Sequence, residues 1–381
     1  MKDVIVAGGG PAGAGLAYRL ARKGMSVLLL EKSSFPRFKS CAGGITLKVM
    51  RELDFDLSPV IEDEITRFIF TANLEGPVET VTGEPAVYTV NREKFDAYLL
   101  QKAAAAGAEI ITGVPIRKME AEGGLFCVNA GDSCFRCKII AGADGANSMV
   151  ARSFGLAGKK IFGATLECRL FLPPEKEARF RGTIHVDYGI LRQGYAWVFP
   201  KSSSLSAGAG ATPGSPVEIR TALKKMLEAL DLKETEMLLP ERGWVLPFHS
   251  SPQQLHRGGV LLLGDAAGLV DPFTGEGIYN ALKSARLAAA VIEEEIRRPY
   301  PDLRGYSALV KKEMGPGFSA AWRLVRLLSG RASIYHRLLQ RHPGLAAKFL
   351  ELLAGRINYP HFLRHCLNLL IREGLHLPQR T

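Results

Sequence analysis

The sequence predicts an α/β protein: a discontinuous, Rossmann-like nucleotide-binding domain, an inserted antiparallel-sheet domain, and helices toward the C-terminal end. Three observations predict it. A strand, a glycine turn, a helix and a second strand open the chain. Two short apolar runs, at residues 137–141 and 259–263, each end in Gly-Ala-Asp or Gly-Asp. Between these lie Gly-, Thr- and Ser-rich stretches with a period of two.

Residues 3–7 read as a buried strand, and Gly8 to Gly13 as a turn. Ala14 to Lys23 follows as a helix with Leu16, Leu20 and Ala21 on one face, stopped by Gly24. Ser26 to Leu30 is the next strand, closed by Glu31. Residues 64–90 and 161–211 alternate as in Arg67-Phe68-Ile69-Phe70 and Gly182-Thr183-Ile184-His185-Val186, and predict antiparallel strands. Residues 214–238 return to a helical period, and Ile278 to Ile296 predicts one long helix. From Gly317 onward the chain predicts helices with breaks at Pro343-Gly344 and Pro360. The expected domains are 1–60, 92–158 and 255–300 for the nucleotide domain, 61–91 and 159–254 for the sheet domain, and 301–381 for the helical region.

Composition sets the boundaries. The 381 residues are 47% hydrophobic and 23% charged, which excludes a disordered chain and a small disulfide scaffold. No apolar run reaches a spanning helix of about 20 residues, and no signal-peptide pattern precedes the first strand. The expectation is a cytoplasmic protein. Lys and Arg number 49 against 38 Asp and Glu, a net charge of +11. That favours an acidic lipid surface or phosphorylated small molecules, because no nucleic-acid module accompanies the charge. Six cysteines in such a setting are expected to be mostly free thiols. Cys134 and Cys137 have CxxC spacing with no second pair, so no metal is assigned. His361 and His365 are four apart, but Phe362 stands where a metalloprotease glutamate belongs.

Three motifs carry chemistry. In Gly8-x-Gly10-x-x-Gly13 the glycines permit a tight turn, a close backbone approach to a pyrophosphate, and packing of helix on strand. Glu31 ends the next strand, where an acid accepts ribose hydroxyls. The second motif is Gly142-Ala143-Asp144-Gly145, running on to Arg152. The third is Gly264-Asp265 with Pro272 and Gly275-Glu276-Gly277. There Asp265 suits a ribityl chain, and the N–H groups ahead of Ile278 suit negative charge on a flavin pyrimidine edge. A nicotinamide enzyme needs no such third site.

Together these motifs resemble the FAD-binding fold of the aromatic hydroxylase superfamily. The resemblance implies FAD, held by Gly8, Gly10, Ala12, Gly13, Glu31, Lys32, Cys41, Ala42, Arg92, Asp144, Gly145, Gly264, Asp265, Gly275, Gly277 and Ile278. Within that superfamily, Phe35-Pro36-Arg37-Phe38-Lys39-Ser40-Cys41-Ala42-Gly43-Gly44 resembles the geranylgeranyl reductase family, as do Val90-x-Arg92-x-x-Phe95-Asp96 and Tyr195-Ala196-Trp197-Val198-Phe199-Pro200-Lys201. Many members have Gly where this chain has Ala42.

That resemblance implies reduction of isoprenoid C=C bonds by hydride from reduced FAD, with Cys41, Tyr195 and Trp197 as the catalytic candidates. The acceptor stays open among glycerolipid, prenyl diphosphate, chlorophyll precursor and quinone tail, and the reductant between NAD(P)H and ferredoxin. A core role for Cys41, Tyr195 and Trp197 is the competing reading, since free Cys and aromatics are often simply packed. The competing activity is an FAD monooxygenase of a small apolar molecule, and an electron carrier is a third class. Halogenases share part of the pattern, but no Lys occurs from Phe68 to Glu93, which argues against that chemistry. Last, Phe318, Trp322, Val325 and Leu328 form an apolar stripe beside Arg323 and Arg326. The stripe predicts either peripheral docking on the inner face of an anionic membrane or a helix packed on its own domain.

Overall fold

The computed structural model describes residues 1–250 and 254–374. The expected helical region therefore ends, as far as it is described, at residue 374. The chain packs as two compact units, each built from three stretches. Unit 1 is Met1–Lys39, Arg92–Ile161 and Leu246–Gly315; unit 2 is Ser40–Asn91, Phe162–Val245 and Pro316–Thr381. Residues 40–60 thus fall in unit 2 rather than with the nucleotide domain, and the helices after Pro316 belong to unit 2 rather than to a region of their own. The local cause is pairing: Gly44–Thr46 adds to Val87–Val90, which in turn pairs with Ile61–Ile65.

Unit 1 is organised by one strand. Lys2–Ala7 lies between two parallel neighbours, Val27–Glu31 and Ser133–Gly142. Val260–Leu262 extends the sheet beyond Ser133–Gly142, and Glu109–Thr112 beyond Val27–Glu31, both parallel. Val4, Ile5, Val6, Leu28, Leu29, Ile139 and Ile140 are buried, the continuous apolar run that a sheet covered on both faces requires. The helix Pro11–Ala21 packs against Arg92–Ala105 and Ile278–Glu295. Pro11 stands at the helix start, where no N–H is needed. An antiparallel meander, Ile116–Glu122 and Leu125–Ala130, joins the outer part of Ser133–Gly142. This hairpin carries a disulfide between Cys127 and Cys134, so Cys134 pairs backwards across the turn and not with Cys137, which is buried and free.

Unit 2 is built on a seven-stranded sheet in the order Met237–Phe248, Ile161–Phe171, Ser204–Ala211, Gly194–Pro200, Thr183–Asp187, Arg67–Ala72, Glu75–Val81. Its two faces differ. One places Leu166, Cys168, Leu170, Ala196, Val198, Ala207 and Ala209 against Ile219, Leu223 and Met226 of the helix Pro216–Ala229. That helix opens with a capping box between Ser215 and Glu218, worth about 1 kcal/mol. On the other face Phe68, Phe70, Val78 and Ile184 pack with Leu339, Ala346 and Leu350 of the helices Ala332–Arg341 and Gly344–Leu353.

Helix Gly315–Leu328 buries Phe318, Ala321, Leu324 and Leu327, while Arg323 and Arg326 are exposed. Of the stripe read from the sequence Phe318 is buried, while Trp322, Val325 and Leu328 are half-buried; the face the helix buries is centred on Ala321, Leu324 and Leu327. Pro360 starts the helix Tyr359–Arg372 instead of breaking one, for the same reason that Pro11 does. Among the described residues no helix is long and apolar enough to cross a membrane.

Candidate functional site

The strand register of unit 1 sets three turns side by side. Ala7 pairs with Leu30 on one side and Gly142 on the other, and Gly142 pairs with Leu262. The residues that follow, Gly8, Glu31, Ala143 and Leu263, therefore leave the sheet along one edge, at the carboxyl ends of parallel strands.

The glycine turn is closed by contact. Gly8 has φ +105°, and a Cβ there would lie 2.3 Å from the carbonyl oxygen of Ala143. A Cβ on Gly13 would lie 1.9 Å from the carbonyl of Gly8. Gly10 is different: it is extended, caps the helix without a side-chain hydrogen bond, and has only the Arg37 guanidinium near its missing Cβ, at 3.8 Å. Its neighbourhood is a cradle for a phosphate, with helix N–H groups on one side and a cation on the other. Glu31 is buried; its carboxylate accepts from Gly9 N at 2.7 Å and Ser33 N at 2.9 Å. Each oxygen keeps a lone pair for a hydroxyl donor. Lys32 is exposed and Ala12 is buried.

In the second turn Asp144 accepts from Met149 N (2.6 Å) and Val150 N (3.1 Å) through Oδ2. Its Oδ1 is buried with no hydrogen-bond partner in the protein. An orphaned buried carboxylate oxygen is costly, and a hydroxyl or N–H of a bound group would relieve it. Gly145, at φ +82°, has open space over its Cα.

In the third turn a Cβ on Gly264 would touch Ala12, so the first and third turns abut. Asp265 is half-buried, with Oδ1 3.8 Å from where a Gly277 Cβ would stand. Gly275 has φ +72° and donates to Asp271 O at 3.0 Å. Glu276 N donates to Thr274 Oγ1 at 3.3 Å, and Gly277 caps Ile278–Glu295 with no side-chain hydrogen bond and no acid in the first turn, so the positive end of that helix is not neutralised by its own side chains.

Two side chains were not singled out from the sequence. Lys160 donates to Ala266 O at 2.6 Å; burial pushes its ammonium below its ordinary pKa, and the charges of Asp144 and Asp265 push back. Arg37, beside Gly10, reaches Asp96 at 3.2 Å. Arg92, expected at the cofactor, forms a buried bidentate pair with that same Asp96, at 2.8 Å twice. Both cations thus share one buried carboxylate, and Arg37 lies beside Gly10.

Cys41 and Ala42 are placed in unit 2, with Tyr195 and Trp197. Tyr195 and Trp197 stand two apart on Gly194–Pro200, with ring centroids 5.6 Å apart. Trp197 pairs with Gly208, which pairs with Glu167, so all three share one face of the sheet. A Cβ on Gly208 would come within 2.3 Å of the indole, so the glycine makes room for the ring. Glu167 is buried and accepts from Ser206 Oγ and Ser40 Oγ, each at 2.8 Å. The second bond brings the segment leading into Cys41 to the tryptophan-bearing face.

From the other side Lys201, fully buried, donates through Nζ to Ala42 O (2.5 Å) and Val90 O (2.9 Å). Gly43 N donates to Cys41 Sγ at 3.3 Å and has φ +71°; a Cβ there would lie 2.1 Å from Val90 O. Burial pushes the Lys201 ammonium down to about 8; the charges of Cys41, Glu167 and Glu62 oppose that shift and Arg169 adds to it.

Two outcomes follow. Gly8→Ala is expected to cost about 1–3 kcal/mol of backbone strain in the turn. Flavin content, measured as the ratio of visible to protein absorbance, should fall; wild-type content would contradict the cradle. The second concerns pH. Lys201 releases its proton near pH 8 when folded and near 10.4 when unfolded. Between those values the unfolded chain binds more protons, so this group makes stability rise with pH, by about 3 kcal/mol in total. Wild type should gain denaturation midpoint relative to Lys201→Met from pH 8 to 10.

Comparison with known proteins agrees with this geometry. Residues 1–181 match the family described as FAD binding domain. The chain is 31% identical to the geranylgeranyl diphosphate reductase of Rhodobacter capsulatus over 83% of this chain and 81% of that one. It is 30% identical to digeranylgeranylglycerophospholipid reductase 2 of Methanothermobacter thermautotrophicus over 86% and 88%. A solved structure, a geranylgeranyl bacteriochlorophyll reductase-like protein of Thermoplasma acidophilum, superposes with a TM-score of 0.82 at 24% identity, covering 97% of this chain and 99% of the other.

Proposed function

The chain belongs to the geranylgeranyl reductase family of FAD-dependent oxidoreductases, and from that premise we propose that it saturates C=C bonds of an isoprenoid chain carried by a lipid or a prenyl diphosphate. Bound FAD, once reduced by NAD(P)H or a ferredoxin, supplies the hydride. The residues that would hold it are Gly8, Gly10 and Gly13 at the pyrophosphate, Glu31 at the adenosine ribose, Asp265 at the ribityl chain, and the amides ahead of Ile278 at the flavin ring.

The rest falls to side chains of unit 2. An isolated alkene accepts hydride poorly because nothing takes the developing negative charge. A proton delivered to one carbon would give the other tertiary cation character and so make it the acceptor that bound, reduced FAD could supply with hydride. That needs an acid in a dry, apolar setting. The carrying observation is the Ser40–Glu167 bond, which ties the Cys41 segment to the face bearing Trp197. In this reading Cys41 holds the proton at Sγ. Tyr195 and Trp197 line the passage for the chain, with Val186 and Phe70 continuing the same row across the sheet.

The test is anaerobic incubation of the reduced enzyme with geranylgeranyl diphosphate or an unsaturated prenyl lipid, followed by mass spectrometry. The expected result is the gain of one hydrogen pair per reduced bond. Dependence of product on dioxygen would point to a monooxygenase instead. Cys41→Ala is expected to keep its flavin and lose about 10²–10⁴-fold in kcat, the usual contribution of a positioned acid. Unchanged turnover would remove Cys41 from the reaction.

A further inference from the structure

We propose that Asp96 is the positioning residue of the diphosphate site: pinned by Arg92, its carboxylate holds Arg37 beside the open side of Gly10, and Arg37 is the cation that takes the cofactor's diphosphate. The proposal rests on the reading that the chain binds FAD. The cofactor set implied by the family pattern contains Arg92 but neither Arg37 nor Asp96.

Geometry carries it, within unit 1 alone. Asp96 lies one turn after Arg92 on the helix Arg92–Ala105, and both are buried. Arg92 Nε donates to Asp96 Oδ1 and Arg92 Nη2 to Oδ2, each at 2.8 Å. Such a fork fixes the plane of the carboxylate. Oδ2 also lies 3.2 Å from Nη2 of Arg37. That same nitrogen stands 3.8 Å from where a Gly10 Cβ would be, and apart from the flanking residues no other described atom comes within 4 Å of the point. The Arg37 guanidinium also lies over the Phe35 ring, 4.8 Å from its centroid. A long cationic side chain is thus held by a carboxylate and an aromatic face, with 17% of it exposed. Its rotamer freedom is spent before any ligand arrives, which is what preorganisation requires.

Charge says what the arrangement is for. A carboxylate near a phosphate would by itself repel it. Here two guanidiniums outweigh that charge, and what Asp96 contributes is direction. One cation would neutralise the carboxylate; the second leaves a net positive charge in a largely buried place, which is costly until an anion meets it. A guanidinium carries five N–H donors on three nitrogens, more than one carboxylate contact consumes. The helix Pro11–Ala21 starts at Gly10 with no acid in its first turn and no side-chain cap, so its positive end adds to the same field. The doubly negative diphosphate of FAD matches that excess, and arginine suits it because the fork reads two oxygens together.

The test needs no prenyl substrate. The full chain is freed of flavin, and its Kd for FAD is read from quenching of flavin fluorescence. Arg37→Met is expected to weaken FAD about 10- to 100-fold, the usual worth of a hydrogen bond to a charged group. Arg37→Lys, which keeps the charge and loses the fork, should recover at least about threefold of that loss. FAD affinity of Arg37→Met within about twofold of wild type would overturn the assignment. So would equal losses in the Met and Lys variants, because a packing role does not read charge.

The role of Asp96 is read from a double-mutant cycle, since Asp96→Asn alone both frees Arg37 and removes a negative charge. In the Asp96→Asn background, Arg37→Met should cost less than about threefold in Kd, because the guanidinium is no longer held at Gly10. An undiminished cost would overturn the positioning role. Should Asp96→Asn fail to fold, Asp96→Glu, which keeps the charge and displaces it, takes its place in the cycle with the same two outcomes. If wild type itself binds no FAD, the cofactor reading fails; if wild type and Arg37→Met bind it equally, only the roles of Arg37 and Asp96 fail.

Discussion

Strand register is the constraint on which the cofactor domain depends. The central strand Lys2–Ala7 has parallel partners on both sides, and Ala7 faces Leu30 and Gly142 together. One residue later, at Gly8, the chain turns so close to Ala143 that a Cβ there would lie 2.3 Å from its carbonyl oxygen. A slip of one residue along either ladder would invert every side chain on that strand and separate Gly8 from Ala143. The buried Val4–Val6, Leu28–Leu30 and Ile139–Ala141 forbid it, because the slip moves no residue to water but destroys the packing of all of them. The apolar core thus fixes the polar turns. Glu31 contributes from its own strand end by holding Gly9 N, so the acid offered to a ribose also braces the loop offered to a phosphate.

Unit 2 makes the opposite trade. Its sheet buries a cation and an anion, Lys201 and Glu167, that an apolar pair would replace without loss of packing. Lys201 gives up part of its affinity for a proton by being buried, and near pH 7 folding carries that cost. Stability contributed by this group increases as the proton leaves. A structure that gains stability by losing the charge retains it for some purpose other than stability. The carbonyls it binds belong to the turn after Cys41 and to the strand beside it.

What is encoded locally is legible in the sequence. Gly8, Gly10 and Gly13 are legible because backbone geometry, not a partner, demands glycine there, and the flanking strand and helix lie within a few residues. The elements Lys2–Ala7, Val27–Glu31, Ser133–Gly142 and Val260–Leu262 are legible as apolar runs ended by turn residues. The rest depends on residues brought together from far along the chain. Ser40 and Glu167 are 127 positions apart, and nothing in either neighbourhood announces the other. Lys201 is visible only as the last residue of an aromatic stretch. The family pattern points to Arg92 but does not announce that Asp96 also binds Arg37, beside the glycine turn. The CxxC spacing of Cys134 and Cys137 misleads for a different reason. On one strand, residues three apart point to opposite faces, whereas the hairpin returns Cys127 to Cys134.

The helix Gly315–Leu328 shows that amphipathicity alone does not identify a partner, for the face it buries is not the stripe of Trp322, Val325 and Leu328, which stay half-buried. A helix with Phe318, Leu324 and Leu327 on one side must cover them with something, and periodicity is the same whether protein or lipid does so. In this chain the cover is protein, and the later helices use their own apolar sides, Leu339, Ala346 and Leu350, against Phe68, Phe70 and Ile184. These rings lie in cross-strand rows with Trp197 and Phe199, through Val186 and Ile184. The helices therefore bound, at one end, the face along which a prenyl chain is proposed to lie. At the other end Gly208 and Gly210 stand opposite Trp197 and Tyr195. Small residues there keep the sheet surface low beneath the two aromatic rings, and large ones across it would fill that space. Trp197 and Phe70 are themselves buried, so what room this face leaves lies where Tyr195 and Val186 stay half-buried, a property of unit 2 and independent of the turns of unit 1.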